Sequence, residues 1–309
     1  MINPTNQRGA AIIVALFITA LVAAAALAMI TRFQTDTHRT ELLLNSNQEN
    51  LIAQGSIFWA FEQLRNDIKQ QQPGKIIDKT PIRSPTDVVN GAKVYSTIFD
   101  AQVKLNLNNL SDSQFQTVFT RLIQLASPKT DLATAQTITR GVMDWITPGI
   151  SNSSFDQYYA TLKPPYRSAH QPMISVSELR MIQGVNAEIF QALLPYVTVL
   201  PEKTKININS APIPVVMSLS PAITLETAQA LDTFRRATPF VSLDNLANFT
   251  VVKSSPIAQN NLTVSSNYFM IKTHVMLGDQ HAILYSLVIR GLKDSQPNIT
   301  ILWQSKGTL

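Results

Sequence analysis

Hydrophobic and polar positions divide this chain into regimes of different period. Residues 1–9 form a short polar leader ending Gln7-Arg8-Gly9, and the run from Ala10 to Thr31 carries no charge. As a helix rising ~1.5 Å per residue, that run spans roughly 33 Å against a hydrocarbon core of ~30 Å, so residues 10–31 are a predicted transmembrane segment. From Arg32 to Gln72 there is no Pro and a single Gly, and Gln, Asn, Glu, Leu and Ala dominate. Ile57, Phe61, Leu64 and Ile68 draw one apolar stripe at helical spacing, with Glu62, Arg65, Asp67 and Lys69 off it, until Pro73-Gly74 breaks the pattern. One long helix is expected, apolar in its first half and amphipathic over residues 32–72.

The period then shifts to two. Val94 to Phe99 and Ala101 to Leu107 read as strands, the second because Val103, Leu105 and Leu107 alternate with Gln102, Lys104 and Asn106. Three more strands are expected near the C-terminus: Tyr268 to Leu277, Ala282 to Arg290 and Asn298 to Gln304. Gly278-Asp279 and the stretch from Asp294 to Pro297 punctuate them, as in an antiparallel meander. Between the two strand regions, at 73–107 and 263–309, the helical period returns. Helices are expected at Ser111 to Leu125, Leu132 to Trp145, Ser177 to Gln183, Ala187 to Leu194, Ile213 to Leu219, Leu225 to Thr238 and Leu243 to Phe249. They fall into two related units, 108–202 and 203–262. The fold class is therefore α+β: a long N-terminal helix packed on an antiparallel sheet, with a large all-α insertion.

Three readings compete for the N-terminus. A secretory signal peptide has an apolar core of ~7–15 residues, shorter than this one. A plain signal anchor explains the length and leaves Arg8 on the cytoplasmic side, although Arg32 and Arg39 beyond the span weaken that bias. The third reading is a prepilin leader, removed by a membrane peptidase that cuts after Gly9. The long helix behind the span favours the third, and its shape resembles type IV pilins and type II secretion pseudopilins. That resemblance implies Gly9 as the cleavage residue and Ala10 as the new, N-methylated terminus. Pilin-like subunits usually carry glutamate at the fifth mature position, where this chain has Val14. A carboxylate in lipid is costly unless paired, and in the family it is thought to pair with the N-terminal ammonium of a neighbouring subunit. A subunit that enters first meets no such neighbour, so an apolar residue suits a filament tip; the competing reading is an anchor that never polymerises.

Composition narrows the classes further. The net charge of +5 is not gathered into a stripe, so nucleic acid is not implied. The absence of cysteine excludes disulfides, Fe–S clusters and thiol catalysis, and is compatible with a bacterial periplasm. N-x-S/T triplets at Asn109, Asn152, Asn248, Asn261 and Asn298 read as chance in an Asn- and Ser-rich chain.

A more specific resemblance rests on the middle of the chain. Asp144-Trp145-Ile146, Tyr158-Tyr159, Leu162-Lys163-Pro164-Pro165-Tyr166-Arg167, Ser175-Val176-Ser177-Glu178-Leu179-Arg180, Gly184 and Leu194-Pro195-Tyr196-Val197-Thr198 closely resemble the large minor pseudopilin K family of type II secretion systems. Lys205 to Pro212 looks like the start of that family's second helical unit. The resemblance implies a SAM-like, helix-hairpin-helix-like insertion and a role in capping and initiating the pseudopilus for export across the outer membrane. It implies minor pseudopilins I and J as partners, with H linking to the major pseudopilin, together with the prepilin peptidase, the inner-membrane secretion platform, and secretin or exported substrate at the tip. Location would be the inner membrane, single-pass, with the C-terminal domain periplasmic. Ile57, Phe61 and Leu64 would bury against the helices of I and J.

Family members often carry several acidic residues between the Asp-Trp-Ile and Tyr-Tyr positions, which raises calcium as a ligand. Calcium wants ~6–8 oxygens with more than one carboxylate. Here only Asp144 and Asp156 are acidic; Thr147 and Gly149 stand where the family tends to have aspartate, and Asn152 with backbone carbonyls would complete the site. The competing expectation is a Pro-Gly loop held by Asn and Ser hydrogen bonds. No other cofactor is expected.

The rival function is that of a membrane-anchored, competence-receptor-like DNA binder, because Ile206 to Ala211 and Ser242 to Leu246 also resemble helix-hairpin-helix proteins. Such a hairpin needs a Gly-x-Gly turn whose free N–H groups approach a phosphate. This chain has Leu219-Ser220-Pro221-Ala222-Ile223 there, and its first unit offers Gly184 followed by Val185-Asn186-Ala187-Glu188. For catalysis, His38, His170, His274 and His281 lack metal-ligand spacing, and Gly149 to Ser153 is no nucleophile elbow, so an enzyme is not expected. His274 and His281 flank a hairpin turn on adjacent expected strands and could meet, but two exposed strand histidines are expected there rather than a metal site.

Overall fold

A computed structural model describes residues 5–69, 81–150, 152–255, 258–293 and 296–307. Helix α1 (Thr5–Lys69) is unbroken. Gly9, Ala10 and Ile68 lie on its backbone with side chains outside the described residues, as are Pro73-Gly74 and Asp294. Every residue from 11 to 44 is exposed; burial begins at Glu49 and continues through Ile52, Ala53, Ile57, Ala60, Phe61 and Leu64.

After α1 come β1 (Ile82–Arg83), β2 (Asp87–Val89) and β3 (Ala92–Asp100). The chain then leaves the sheet for a block made of β4 (Leu105–Asn106), a 3-10 turn (Leu107–Ser111), α2 (Ser113–Ala126), α3 (Leu132–Ile146), α4 (Ser154–Ala160), a second 3-10 turn (Val176–Met181), α5 (Ala187–Leu193) and β5 (Val197–Thr198). Its second half contains β6 (Ile206–Asn207), α6 (Ile213–Ser218), α7 (Leu225–Ala237), a third 3-10 turn (Leu243–Asn248), α8 (Thr250–Lys253), α9 (Ala258–Asn261) and β7 (Leu262–Thr263). The chain returns through β8 (Tyr268–Leu277), β9 (Gln280–Lys293) and β10 (Gln296–Lys306). The main sheet is antiparallel, ordered β1-β3-β8-β9-β10 with β2 also on β3.

Strand alternation decides which face meets α1. Val94, Ile98, Ile271, Val275, Leu284 and Val288 point inward; Ile57, Phe61 and Leu64 cover Ile98, Ile271 and Val288, while Ile52 and Ala53 cover Val94, Val275 and Leu284. A hydroxyl ladder runs through this layer, with Ser96 Oγ 3.1 Å from Ser56 Oγ and 2.8 Å from Thr273 Oγ1. The block has a core of its own, built on Phe119, Leu122, Ile138, Tyr159, Leu193, Ile208, Val216, Leu231 and Phe240.

The structure corrects the expected strand from Ala101 to Leu107. Only Leu105–Asn106 is extended, and it pairs in parallel with β5 inside the block. Leu105 and Leu107 are both buried in the block core, so the alternation that suggested a half-buried strand belongs to the entry of the first helical unit. The segments expected as helices at Ser177 and Leu243 are 3-10 turns, each opened by a capping box, Ser175 with Glu178 and Ser242 with Asn245. Helix α4, unforeseen from periodicity, is capped by Ser153.

The two helical units are built alike. Each is closed by a two-residue parallel ladder, β4 with β5 and β6 with β7. Leu105-Asn106-Leu107-Asn108 and Ile206-Asn207-Ile208-Asn209 open them. The Asn108 amide donates to the carbonyls of Met173 (3.0 Å) and Leu200 (2.9 Å), and its oxygen accepts from the Met173 N–H (2.8 Å). Asn209 repeats this on Phe240 and Val264, donating at 2.9 Å to both carbonyls and accepting at 2.8 Å from the Phe240 N–H. In each unit the clamped residue stands two before the serine of a capping box, so one buried asparagine ties the entry strand to the 3-10 turn and to the exit strand.

Candidate functional site

Among the described residues no enclosed catalytic cleft stands out, and the surfaces that matter are those of α1 and the block. Ile57, Phe61 and Leu64 are 2%, 7% and 0% exposed against the chain's own sheet. They are therefore not free to meet partner helices, which corrects the interface expected from the sequence. An apolar stripe on a helix requires a cover but does not say whose. On the other side Leu44, Leu51 and Phe58, spaced by seven residues, are 64%, 69% and 66% exposed. That heptad row is the free apolar face of the packed half of α1. Val14, in the apolar half, is likewise exposed.

The ends of the sheet are distinct. Toward the apolar half of α1, Lys306 Nζ donates to Ser46 Oγ at 2.6 Å and Gln48 donates to the Asn90 carbonyl at 3.3 Å. Toward the C-terminal end of α1, Asp67 pairs with Arg290, which also donates to the Ser266 carbonyl. The helical block is attached at this second end. Asp100 there is buried and accepts from Ser266 Oγ (2.6 Å), Asn207 Nδ2 (3.1 Å) and the Gln102 N–H (2.8 Å). Burial pushes its carboxyl up to about 6, against those hydrogen bonds and the Arg290 charge. Gln102 donates to the Lys205 carbonyl and accepts from the Asn267 and Tyr268 N–H groups, while Tyr268 donates to Glu202. Entry and exit of the block are thereby stitched together, a network that sequence reasoning missed because its members lie far apart along the chain.

The stretch proposed for calcium is closed by the chain's own donors. Asp144 accepts from Ser168 Oγ at 2.7 Å, and Asp156 accepts from the Ser168 N–H at 3.0 Å. His170 Nε2 lies 2.9 Å from Asp156 Oδ2, and Nδ1 lies 3.2 Å from the Asp144 carbonyl. Both ring nitrogens face acceptors, an arrangement that suits the doubly protonated imidazolium. Desolvation opposes both charges, yet the His170 contact and the Ser168 N–H hold the Asp156 carboxyl below its ordinary value. By the same contact Asp156 raises His170 against its own desolvation. Asn152 is exposed with φ 58°, its carbonyl accepts from Gln157, and the cap on α4 comes from Ser153. The donor set does not fit calcium: each carboxylate already accepts from Ser168, the His170 ring lies against Asp156, and no third acid joins them among the described residues. His170 is the member of this cluster that the sequence did not reveal, since no local spacing links it to Asp156.

The hairpin turns are similarly self-satisfied. The Ala222 N–H donates to Ser220 Oγ (3.3 Å) and the Ile223 N–H to the Ser220 carbonyl (3.2 Å), while Pro221 has no donor. Gly184 takes φ 89°, and the next N–H, Val185, donates to the Ile182 carbonyl. A phosphate would find these donors already used.

Comparisons with known proteins agree with this architecture. Two sequence models of the family described as Type II secretion system (T2SS), protein K match residues 103–202 and 206–265. The Type II secretion system protein K of Pectobacterium carotovorum subsp. carotovorum is 31% identical over 89% of this chain and 90% of its own length. That of Klebsiella pneumoniae is 28% identical over the same shares. A chain from the crystal structure of the GspK-GspI-GspJ complex of the enterotoxigenic Escherichia coli type 2 secretion system superposes with a TM-score of 0.71 at 20% identity, covering 88% of this chain and all of that one. This last likeness is one of fold.

Proposed function

Because this chain belongs to the type II secretion system protein K family, we propose that it is the minor pseudopilin that caps the pseudopilus tip and helps start its assembly. The observation that carries this reading is the placement of its two large features at opposite ends. The apolar half of α1 stands clear of the globular part, and the helical block is attached at the far end of the sheet. A subunit so built offers a helix to neighbours below and a broad surface above that no further helix could pass.

In this reading residues 10–31 anchor the protein once in the inner membrane, with the globular part periplasmic, until the helix is drawn into the filament. The prepilin peptidase cuts after Gly9, Ala10 becomes the methylated terminus, and Val14 leaves no orphan carboxylate where no older neighbour exists. The helices of minor pseudopilins I and J pack on the Leu44, Leu51 and Phe58 row, H links to the major pseudopilin, and the secretion platform drives extraction. The block meets secretin or exported substrate, and its role is non-catalytic. The GspK-GspI-GspJ complex of a chain with this fold supports the choice of I and J. The test is co-expression of the full chain with a prepilin peptidase and with I and J. Expected are an N-terminus at Ala10 by mass measurement and a stoichiometric complex; an uncut leader, or no complex after cleavage, would overturn the reading.

A further inference from the structure

On the solvent side of the sheet, side chains from four strands stack in a row, its His281 end within electrostatic reach of Glu49 on α1. The Arg83 guanidinium lies 3.7 Å from the centroid of the Tyr95 ring. Tyr95 stacks on His274, with centroids 4.7 Å apart and planes 13° from parallel. His274 in turn faces His281, with centroids 5.2 Å apart. Strand register produces the row: Tyr95 is directly opposite His274, and His281 is two residues before Ile283, the cross-strand partner of His274. His274 Nδ1 and His281 Nε2 are 3.0 Å apart.

We propose that His274 and His281 form a two-nitrogen site for a divalent transition-metal ion of the zinc, nickel and copper(II) class, completed by water. An ion ~2.0–2.1 Å from each nitrogen, with an angle of roughly 90–110° between them, requires nitrogens ~2.9–3.4 Å apart. The backbone of the β8–β9 hairpin already holds them at such a separation. Two imidazoles select these ions over calcium and magnesium, which need oxygen ligands. Tyr95 fixes the His274 ring from its other side, and exposed His281 has room to turn its lone pair toward an ion. Among the described residues no third histidine, cysteine or acid joins the pair, so the remaining positions belong to solvent. Two cations oppose binding without blocking it: Arg83 stands beyond the Tyr95 ring, and Lys272 Nζ is turned toward Tyr285, 5.5 Å from its centroid. A bound ion would cross-link β8 to β9 at the sheet end nearest the apolar half of α1.

The test is titration of the untagged full chain in detergent with copper(II) read by electron paramagnetic resonance, and with zinc read by thermal melting. The expected result is one saturable copper signal with two-nitrogen coupling and a zinc-dependent rise in Tm, both lost in His281→Gln. Because His281 is exposed, that variant should keep the metal-free Tm, so loss of binding cannot be laid to misfolding. His38→Gln should leave both readouts unchanged. Persistence of the signal in His281→Gln, its loss in His38→Gln, or no saturable binding to the unmutated chain would overturn the site.

Discussion

At the scale of single residues, buried polar groups hold the block in register. Asn108 and Asn209 each satisfy two carbonyls and one N–H that are otherwise shut off from water. Replacing either with Ala should cost about 1–3 kcal/mol for each backbone group left unsatisfied, seen as a lower denaturation midpoint, and the two variants should behave alike because the clamps are alike. Asp100 predicts a pH effect of definite sign. Its folded value is raised from 3.8 to about 6, so its contribution to stability is complete below 3.8 and is lost as pH rises through about 6. The unfolding free energy of the unmutated chain, relative to Asp100→Asn, should therefore fall by roughly 3 kcal/mol between pH 3.5 and pH 7.5. Denaturant melts across that range check it. None of these residues announces itself in the sequence. An asparagine in Leu-Asn-Leu-Asn reads as the polar phase of a strand, because its partners, such as Met173 for Asn108, are brought up only by the closed fold.

At the scale of elements, periodicity found the longer helices and strands because each buries one face, and missed short ones such as β1, β2, α4, α8, α9 and the two-residue ladders. The expected strand from Tyr268 to Leu277 coincides with β8, and β9 and β10 differ only in being longer. Misreadings arose where a local pattern had two physical causes. The alternation in Ala101 to Leu107 matched a strand but belongs to a short ladder and a 3-10 turn. The stripe of Ile57, Phe61 and Leu64 was correctly a buried face, yet the sheet covers it and leaves the Leu44, Leu51 and Phe58 row open. These two rows predict opposite phenotypes. Leu64→Ala should lower stability by about 2–5 kcal/mol through a cavity against Ile98 and Phe269. Phe58→Ser should leave the midpoint of the monomer nearly unchanged and weaken association with I and J by about tenfold, ~1.4 kcal/mol, in a binding titration. Equal loss of stability in both variants would contradict the assignment of faces.

At the scale of the whole molecule, the long helix with its charge-free first half and the split sheet could be read from composition and period, because each reflects which residues avoid water. The closure of the loop around Asp144 and Asp156 could not, since it depends on His170 arriving from a turn with a left-handed backbone, φ 47°. The self-satisfied hairpin turns predict no salt-sensitive retardation of duplex DNA in a gel-shift with the full chain. A further consequence follows from how the block is joined. The Ala101 N–H donates to the Tyr268 carbonyl at 3.0 Å, and Asp100 pairs with Phe269, so the chain departs and returns through neighbouring positions of one ladder. The ladder is continuous across that point, although Asp100 relies on Gln102, Asn207 and Ser266, and Tyr268 packs with Leu200 of the block. Excising residues 102–267 and joining β3 to β8 with a two-residue hairpin turn should leave a smaller version of the same helix and sheet, since shortening a closed loop lowers rather than raises its entropic cost. A cooperative melt of that graft, with amide exchange protection retained in β8 and β9, would mark the block as separable from the helix and sheet that carry it.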